Sequence, residues 1–116
     1  MNKKNLGKFG ETIAANYLRK NGYKILYKNW RYKKRELDLI TFYKGKIVFI
    51  EVKTRQQVYL ISEVLKHQQI INLQKAGQEF CYQKKLNWEN IRFDLILIII
   101  NTFFHQITIK HLKKII

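Results

Sequence analysis

The sequence predicts an α/β fold in which a mixed sheet is flanked by helices, its elements running αβββαββ. Three observations predict it. A helix-spaced apolar pattern ends at Gly22. Three strand-like segments then follow at short intervals, and a longer helical pattern comes after them. Finally, the most apolar run, Leu95 to Ile100, has the length of a buried central strand.

The first helix is expected from about Leu6 to Asn21. Leu6, Phe9, Ile13 and Tyr17 hold helical spacing, and Ala14 and Leu18 widen the apolar arc. Gly10 lies inside that arc, where a missing side chain lets another backbone come close. Gly22 suits a left-handed cap. The strands follow as Lys24 to Arg31, Glu36 to Phe42 and Ile47 to Lys53, with Lys44-Gly45 as a tight hairpin turn. A long helix is expected over Ser62 to Lys84, with Ile70, Leu73, Ala76, Gly77 and Phe80 on one side and Cys81 in the core or at its boundary. Strands at Ile91 to Ile100 and Phe103 to Lys110, joined at Asn101-Thr102, close the fold.

With 116 residues the chain suits one domain, residues 1–116, and it carries no repeat, linker or low-complexity tail. Its 23 basic residues against 8 acids give a formal charge of +15, more than solubility requires. That excess favours a polyanionic partner through phosphate neutralisation and counterion release. Part of it reflects a general richness in Lys, Asn and Ile and a lack of proline, which weakens lysine count as an argument. A membrane partner is not expected: a span needs about 20 consecutive apolar residues. One cysteine, Cys81, excludes an internal disulfide, and no secretory leader is seen, so a cytoplasmic location is expected.

The chemistry resides in a few acids. Asp38 lies on the second strand and Glu51 on the third. Residues two apart on a strand share a face, so Glu51 and Lys53 project to one side and Val48, Ile50 and Val52 to the other. Two carboxylates on neighbouring strands offer the hard oxygen ligands that Mg²⁺ or Mn²⁺ prefers. Asp38 and Glu51 would hold the ion, with the Val52 carbonyl as a further ligand. Such an ion lowers the pKa of water and offsets phosphate charge. Lys53 would orient the attacking water and offset transition-state charge. Glu11, at the rim of the first helix's apolar arc, looks into a cleft and could serve a second metal or a metal-bound water. The Glu-x-Lys triplet alone says little, since 6 glutamates and 18 lysines yield about one by chance. A solvated charge pair at a strand end is the alternative.

The stretch Lys28 to Arg35 interleaves five cations with Trp30 and Tyr32. Arg31, Lys33, Lys34 and Arg35, together with Arg55 and Trp30, are the candidate nucleic-acid contacts, cations for phosphates and the indole for bases. The alternative is a core Trp30 beside a solvated basic loop. His67, His105 and His111 share no ligand spacing and read as incidental. Asp94, at the start of a very apolar strand, reads as structural, pairing with Arg92 or reaching the sheet end.

Several blocks in order resemble one family. Gly7-Lys-Phe-Gly-Glu11 with Ala14 and Tyr17-Leu18, then Gly22-Tyr23, Ile25-Leu26, Asn29-Trp30-Arg31, Glu36-Leu37-Asp38-Leu39-Ile40, Phe49-Ile50-Glu51-Val52-Lys53-Thr54-Arg55 and Arg92-Phe93-Asp94 are similar to the YraN family of small bacterial proteins. That family is similar to archaeal Holliday-junction resolvases of the PD-(D/E)xK type. The resemblance covers about Gly7 to Ile100 and implies a restriction-endonuclease-like fold. It also implies Asp38, Glu51 and Lys53 as the catalytic set, with Glu11 and Glu36 as accessory acids. Glu36 has a surface role as its alternative. The chain departs from the pattern at Arg35, where the family has glycine, and at Gln68, where it often has lysine; the glycine-containing loop after Arg55 is also missing.

Taken together, these residues lead to an Mg²⁺- or Mn²⁺-dependent endonuclease that hydrolyses DNA, with branched or recombination intermediates as candidate substrates. A homodimer is expected if both strands are cut symmetrically. The alternatives are a non-catalytic nucleic-acid-binding protein on a nuclease-like scaffold and a basic RNA-associated protein.

Overall fold

Helix α1 (Lys3–Lys20) opens the chain in the computed structural model, which describes residues 2–56 and 64–116. Asn2 caps it, its side chain accepting the Asn5 N–H at 2.9 Å. At the other end Gly22 takes a left-handed φ of 88°. The Tyr23 N–H then reaches the Leu18 carbonyl and the Gly22 N–H that of Arg19, closing the helix as expected. The buried line is Gly10, Ala14, Ala15 and Leu18. Phe9, expected on the buried arc, is instead exposed. Small residues set the line of closest approach, so the bulky ones flank it.

Among the described residues five strands follow: β1 (Lys24–Tyr32), β2 (Arg35–Tyr43), β3 (Lys46–Arg55), β4 (Ile91–Asn101) and β5 (Gln106–Leu112). They form one sheet in chain order. Every neighbouring pair is antiparallel except β3 and β4, which are parallel. Lys44 and Gly45, both at positive φ, make the tight turn between β2 and β3. Strand β4 is interior and buried along most of its length, as its apolar run predicts.

Helix α2 (His67–Lys84) makes the crossover between the parallel strands. The described helix starts later than the predicted Ser62, because Lys66 is an extended cap residue; Ser62 itself lies outside the described residues. Leu73, Ala76, Gly77, Phe80 and Cys81 are its buried side. They pack with Leu37, Ile40, Phe49, Phe93, Leu95 and Leu97 on one face of the sheet. On the other face Ala14, Ala15 and Leu18 of α1 pack with Leu39, Val48, Ile50, Ile96 and Ile98. Thus the expected αβββαββ order and helix-flanked mixed sheet are what the chain forms. The last hairpin differs from expectation: residues 102–105 form a turn, so Phe103 and Phe104 precede β5 and do not belong to it.

Candidate active site

The site begins where β2 and β3 part. Their ladder runs from Tyr43↔Lys46 to Leu39↔Ile50 and ends there. One step further the register would set Asp38 opposite Glu51. Instead the Asp38 carboxylate accepts the Val52 N–H at 2.8 Å. The alternation of β2 breaks at the same place: Leu37 packs on the α2 side and Leu39 on the α1 side, although they are two residues apart. Facing Asp38 across β1 is Asn29, at a left-handed φ of 52°. Asparagine tolerates that region better than most residues.

The parted strands bring acids together. Carboxylate oxygens of Glu11 (α1), Glu36 and Asp38 (β2) lie within 4.8 Å of one another. Glu51 (β3) is a further acidic neighbour, close enough to Asp38 for its charge to raise that carboxyl. Half of the eight acids in a chain of charge +15 therefore meet around one side chain. Burial, then the neighbouring Glu51, push the Asp38 carboxyl from 3.8 up to about 9. The Val52 N–H and Lys53 pull the other way. Burial, followed by the charges of Asp38 and Glu36, also raises the Glu11 carboxyl. With its amide nitrogen toward the acids, Asn29 donates to Glu36 Oε1 and Glu11 Oε1, 2.8 Å each.

Lys53 stands 3.6 Å from Glu51 Oε2, and both side chains are largely buried. The cleft beside them, about 780 Å³, is lined by Glu11, Asp38, Val52, Lys53, Thr54 and Arg55 together with Lys3, Leu6, Gly7 and Gln56. Of the expected site residues, Asp38, Glu51, Lys53, Glu11 and Glu36 thus come together. Val52 joins them through its N–H, which pins Asp38.

The expected nucleic-acid contacts separate into groups. Arg55 lines the cleft. Lys33 and Lys34 sit exposed at the β1–β2 turn, Lys33 with a positive φ. Arg31 is exposed and pairs with Glu36 at 3.3 Å. Arg35 is half-buried at the start of β2. Trp30 is also half-buried and packs edge-on against Phe80, within the core on the α2 side. Gln68, where the resemblance leads to the expectation of a lysine, is exposed and donates to Asn72.

Two features, Asn29 and His111, escaped the residue-by-residue reading. Asn29 bridges two acids, and its signal is an asparagine inside a strand pattern, where a left-handed residue interrupts the ladder. A Cβ at Gly10 would overlap the Thr54 hydroxyl, so the glycine inferred to permit close approach does so beside the cleft. His111, read as incidental, has a side chain only 6% exposed and bonded at both ring nitrogens: Nε2 lies 2.8 Å from Asp94 and Nδ1 2.9 Å from the Tyr17 hydroxyl. Asp94, fully buried, also accepts two bonds from Arg92 and one from the Lys114 N–H. Arg92 in turn donates to Tyr23. These partners are far apart in the chain, which left no local signal for His111. For Asp94 the structural reading holds.

The arrangement defines a class: a small α/β protein whose acids gather in a cleft where two strands of a mixed sheet part. Comparison with known proteins assigns it further. The profile of Uncharacterised protein family UPF0102 matches residues 10–98. A UPF0102 protein of Caldanaerobacter subterraneus subsp. tengcongensis is 44% identical over 103 residues, covering 87% of this chain and 84% of that protein. A UPF0102 protein of Clostridium botulinum (strain 657 / Type Ba4) is 41% identical over 115 residues, covering 96% and 93%. The chain belongs to the UPF0102 family, which is the YraN family. No helix among the described residues is long and apolar enough to cross a membrane.

Proposed function

We propose that this protein is a divalent-metal-dependent endonuclease that hydrolyses phosphodiester bonds in DNA, branched or recombination intermediates among them. The observation that carries the reading is the gathering of Glu11, Glu36, Asp38 and Glu51 in a strongly basic chain. Like charges repel, so such a cluster is costly unless protons or a cation compensate it. The donors fit Mg²⁺ or Mn²⁺: they are hard carboxylate oxygens, and a raised Asp38 is a carboxyl whose proton a cation displaces.

Asp38 and Glu51 would hold the ion, with Glu11 and the Val52 carbonyl as further donors. A bound ion supplies Lewis acidity toward phosphate and lowers the pKa of water. The chain's own groups do the rest. The Val52 N–H holds one Asp38 oxygen in place. Asn29 restrains Glu11 and Glu36. Lys53, kept beside Glu51, is placed to orient water and to stabilise charge as it develops on the phosphate. Lys33, Lys34 and Arg55 offer phosphate contacts. Under this reading the protein works in the cytoplasm, and as a homodimer where both strands are cut.

The test is direct. Purified protein is expected to cut branched or single-stranded DNA with Mg²⁺ or Mn²⁺, and Asp38→Ala to abolish cutting. Cleavage that persists when Asp38→Ala and Glu51→Ala are combined would remove this mechanism.

A further inference from the structure

The two hairpins at the cleft end of the sheet differ in kind. Strands β3 and β4 are parallel, with Glu51 level with Leu95 and Arg55 level with Ile99. The β4–β5 turn therefore lies past Arg55, at the end of the sheet where the cleft is found. At about 3.3 Å per residue, Asn101 stands roughly 20 Å beyond the level of Glu51. Because β2 is antiparallel to β3, the β1–β2 turn with Lys33 and Lys34 reaches the same end. In sheet order, β3 with Glu51 lies between these two hairpins.

The β1–β2 turn is basic and the β4–β5 turn is not. From Leu95 to Ile109 the chain carries no Lys, Arg, Asp or Glu, although 23 cations are spread over the rest. At this uncharged tip Phe103 is 82% exposed and Phe104 63%. Their rings meet edge to face, with centroids 4.9 Å apart. The turn is built, with Asn101 Oδ1 accepting the Phe104 N–H at 3.1 Å and His105 holding a left-handed φ of 52°. Two adjacent rings are thus presented to solvent beyond a cleft whose cations suit a polyanion. The tip also lies beyond the family-matched residues 10–98.

We propose that Phe103 and Phe104 form a base-stacking element, which takes unpaired bases of a DNA strand whose backbone lies along the cleft. The inference rests on the nuclease reading and assigns to these two rings the selection of single-stranded or branched DNA over intact duplex. The chemistry is complementary. Phosphates go to the cations, and uncharged rings are left for the faces of bases, which every base offers and which a duplex keeps hidden. A second copy of this chain is a poorer occupant, because it brings another +15 to the same surface.

The experiment measures binding in Ca²⁺, without turnover, to a blunt duplex and to the same duplex bearing a single-stranded flap. Wild type is expected to prefer the flap. Phe103→Ser with Phe104→Ser is expected to weaken flap binding by roughly tenfold or more and to leave duplex binding unchanged. In a separate Phe104→Trp variant, the tip Trp emission should be quenched by the flap and not by the duplex. Equal flap binding by wild type and the double variant overturns the inference alone. So does a double variant that only turns a dimer into a monomer with unchanged affinity per protomer. A wild-type protein that binds neither DNA, and cuts none with Mg²⁺, overturns the nuclease reading and this inference together.

Discussion

The Val52 N–H donates to Asp38 Oδ2 at 2.8 Å, one step beyond the last backbone pair of β2 and β3. A side chain thus does what a backbone carbonyl does elsewhere in the ladder. The strands can part without orphaning the amide, and the gap admits carboxylates. The same bond holds Asp38 against Glu51, and that proximity has a measurable consequence.

Folding raises Asp38 from 3.8 to about 9, through burial first and Glu51 second. In the unfolded chain the group keeps its ordinary value. Its contribution to stability is therefore complete below that value and is lost as pH rises through about 9. Metal-free protein should melt at progressively lower temperature from near-neutral pH toward pH 9. Asp38→Asn, which cannot ionise, should lack this component. Saturating Mn²⁺ should reverse the trend in wild type, because a cation replaces the proton, and calorimetry should detect proton release on binding. Melting curves with the same pH dependence in wild type and Asp38→Asn would refute the assignment.

Gly10 lets α1 lie against Thr54, and Glu11 is the next residue. A Cβ at Gly10 meets the Thr54 hydroxyl first. Gly10→Ala is expected to cost about 1–3 kcal/mol, the usual range for overpacking, and to shift Glu11 relative to Asp38. Combining it with Thr54→Ala should recover part of the loss, giving a clear coupling energy in a double-mutant cycle of chemical denaturation. Simple additivity would mean the two positions do not meet.

Asn29 allows backbone and side chain to be tested apart. Asn29→Gly keeps the left-handed conformation easy and removes the bridge between Glu11 and Glu36. It should leave thermal stability nearly unchanged while weakening Mn²⁺ binding by roughly 10–100-fold, the range for groups that orient metal ligands. Asn29→Ala adds backbone strain and should be less stable than the glycine variant. Unaltered Mn²⁺ affinity in Asn29→Gly would show that the bridge does not order the acids.

These residues mark what sequence could disclose. The alternation of β3 separates Val48, Ile50 and Val52 from Glu51 and Lys53, because a strand's period of two is local. The Lys44-Gly45 turn and the buried β4 are legible for the same reason. In contrast, the break at Asp38 depends on how two strands pair. The Asp94 network joins Tyr17, Tyr23, Arg92 and His111 across the whole chain. Apolar character also misled where it ran past a strand end: Phe103 and Phe104 continue the pattern of Leu95 to Ile100, yet belong to an exposed turn.

That network predicts its own stability signature. Burial pushes the Asp94 carboxyl up, but His111, Arg92 and the Lys114 N–H outweigh it and hold the group below its ordinary 3.8. A lowered carboxyl contributes stability above its unfolded value, and loses it as pH falls through the lower folded one. Asp94→Ala leaves Arg92 and His111 without their shared partner, and should cost about 3–5 kcal/mol near neutral pH in urea unfolding. The gap from wild type should narrow in acid. A loss under about 1 kcal/mol would mean that the buried carboxylate is not what holds these groups together.

The basic turn between β1 and β2 calls for a salt titration. Lys33 and Lys34 are exposed there, and Lys33 lies 5.2 Å from the centre of the Tyr32 ring. Each phosphate left without its cation should lower the slope of log affinity against log salt by about 0.9 on duplex DNA and about 0.7 on a single strand. Replacing both lysines by alanine should therefore reduce the slope by up to about twice that amount, and weaken binding to all sequences alike. Cleavage of bound DNA should proceed at an unchanged rate under saturating protein, since neither lysine lines the cleft with the acids. A variant with the wild-type slope would remove this turn from the DNA path. A variant with normal binding and slowed cleavage would move it into the chemistry instead.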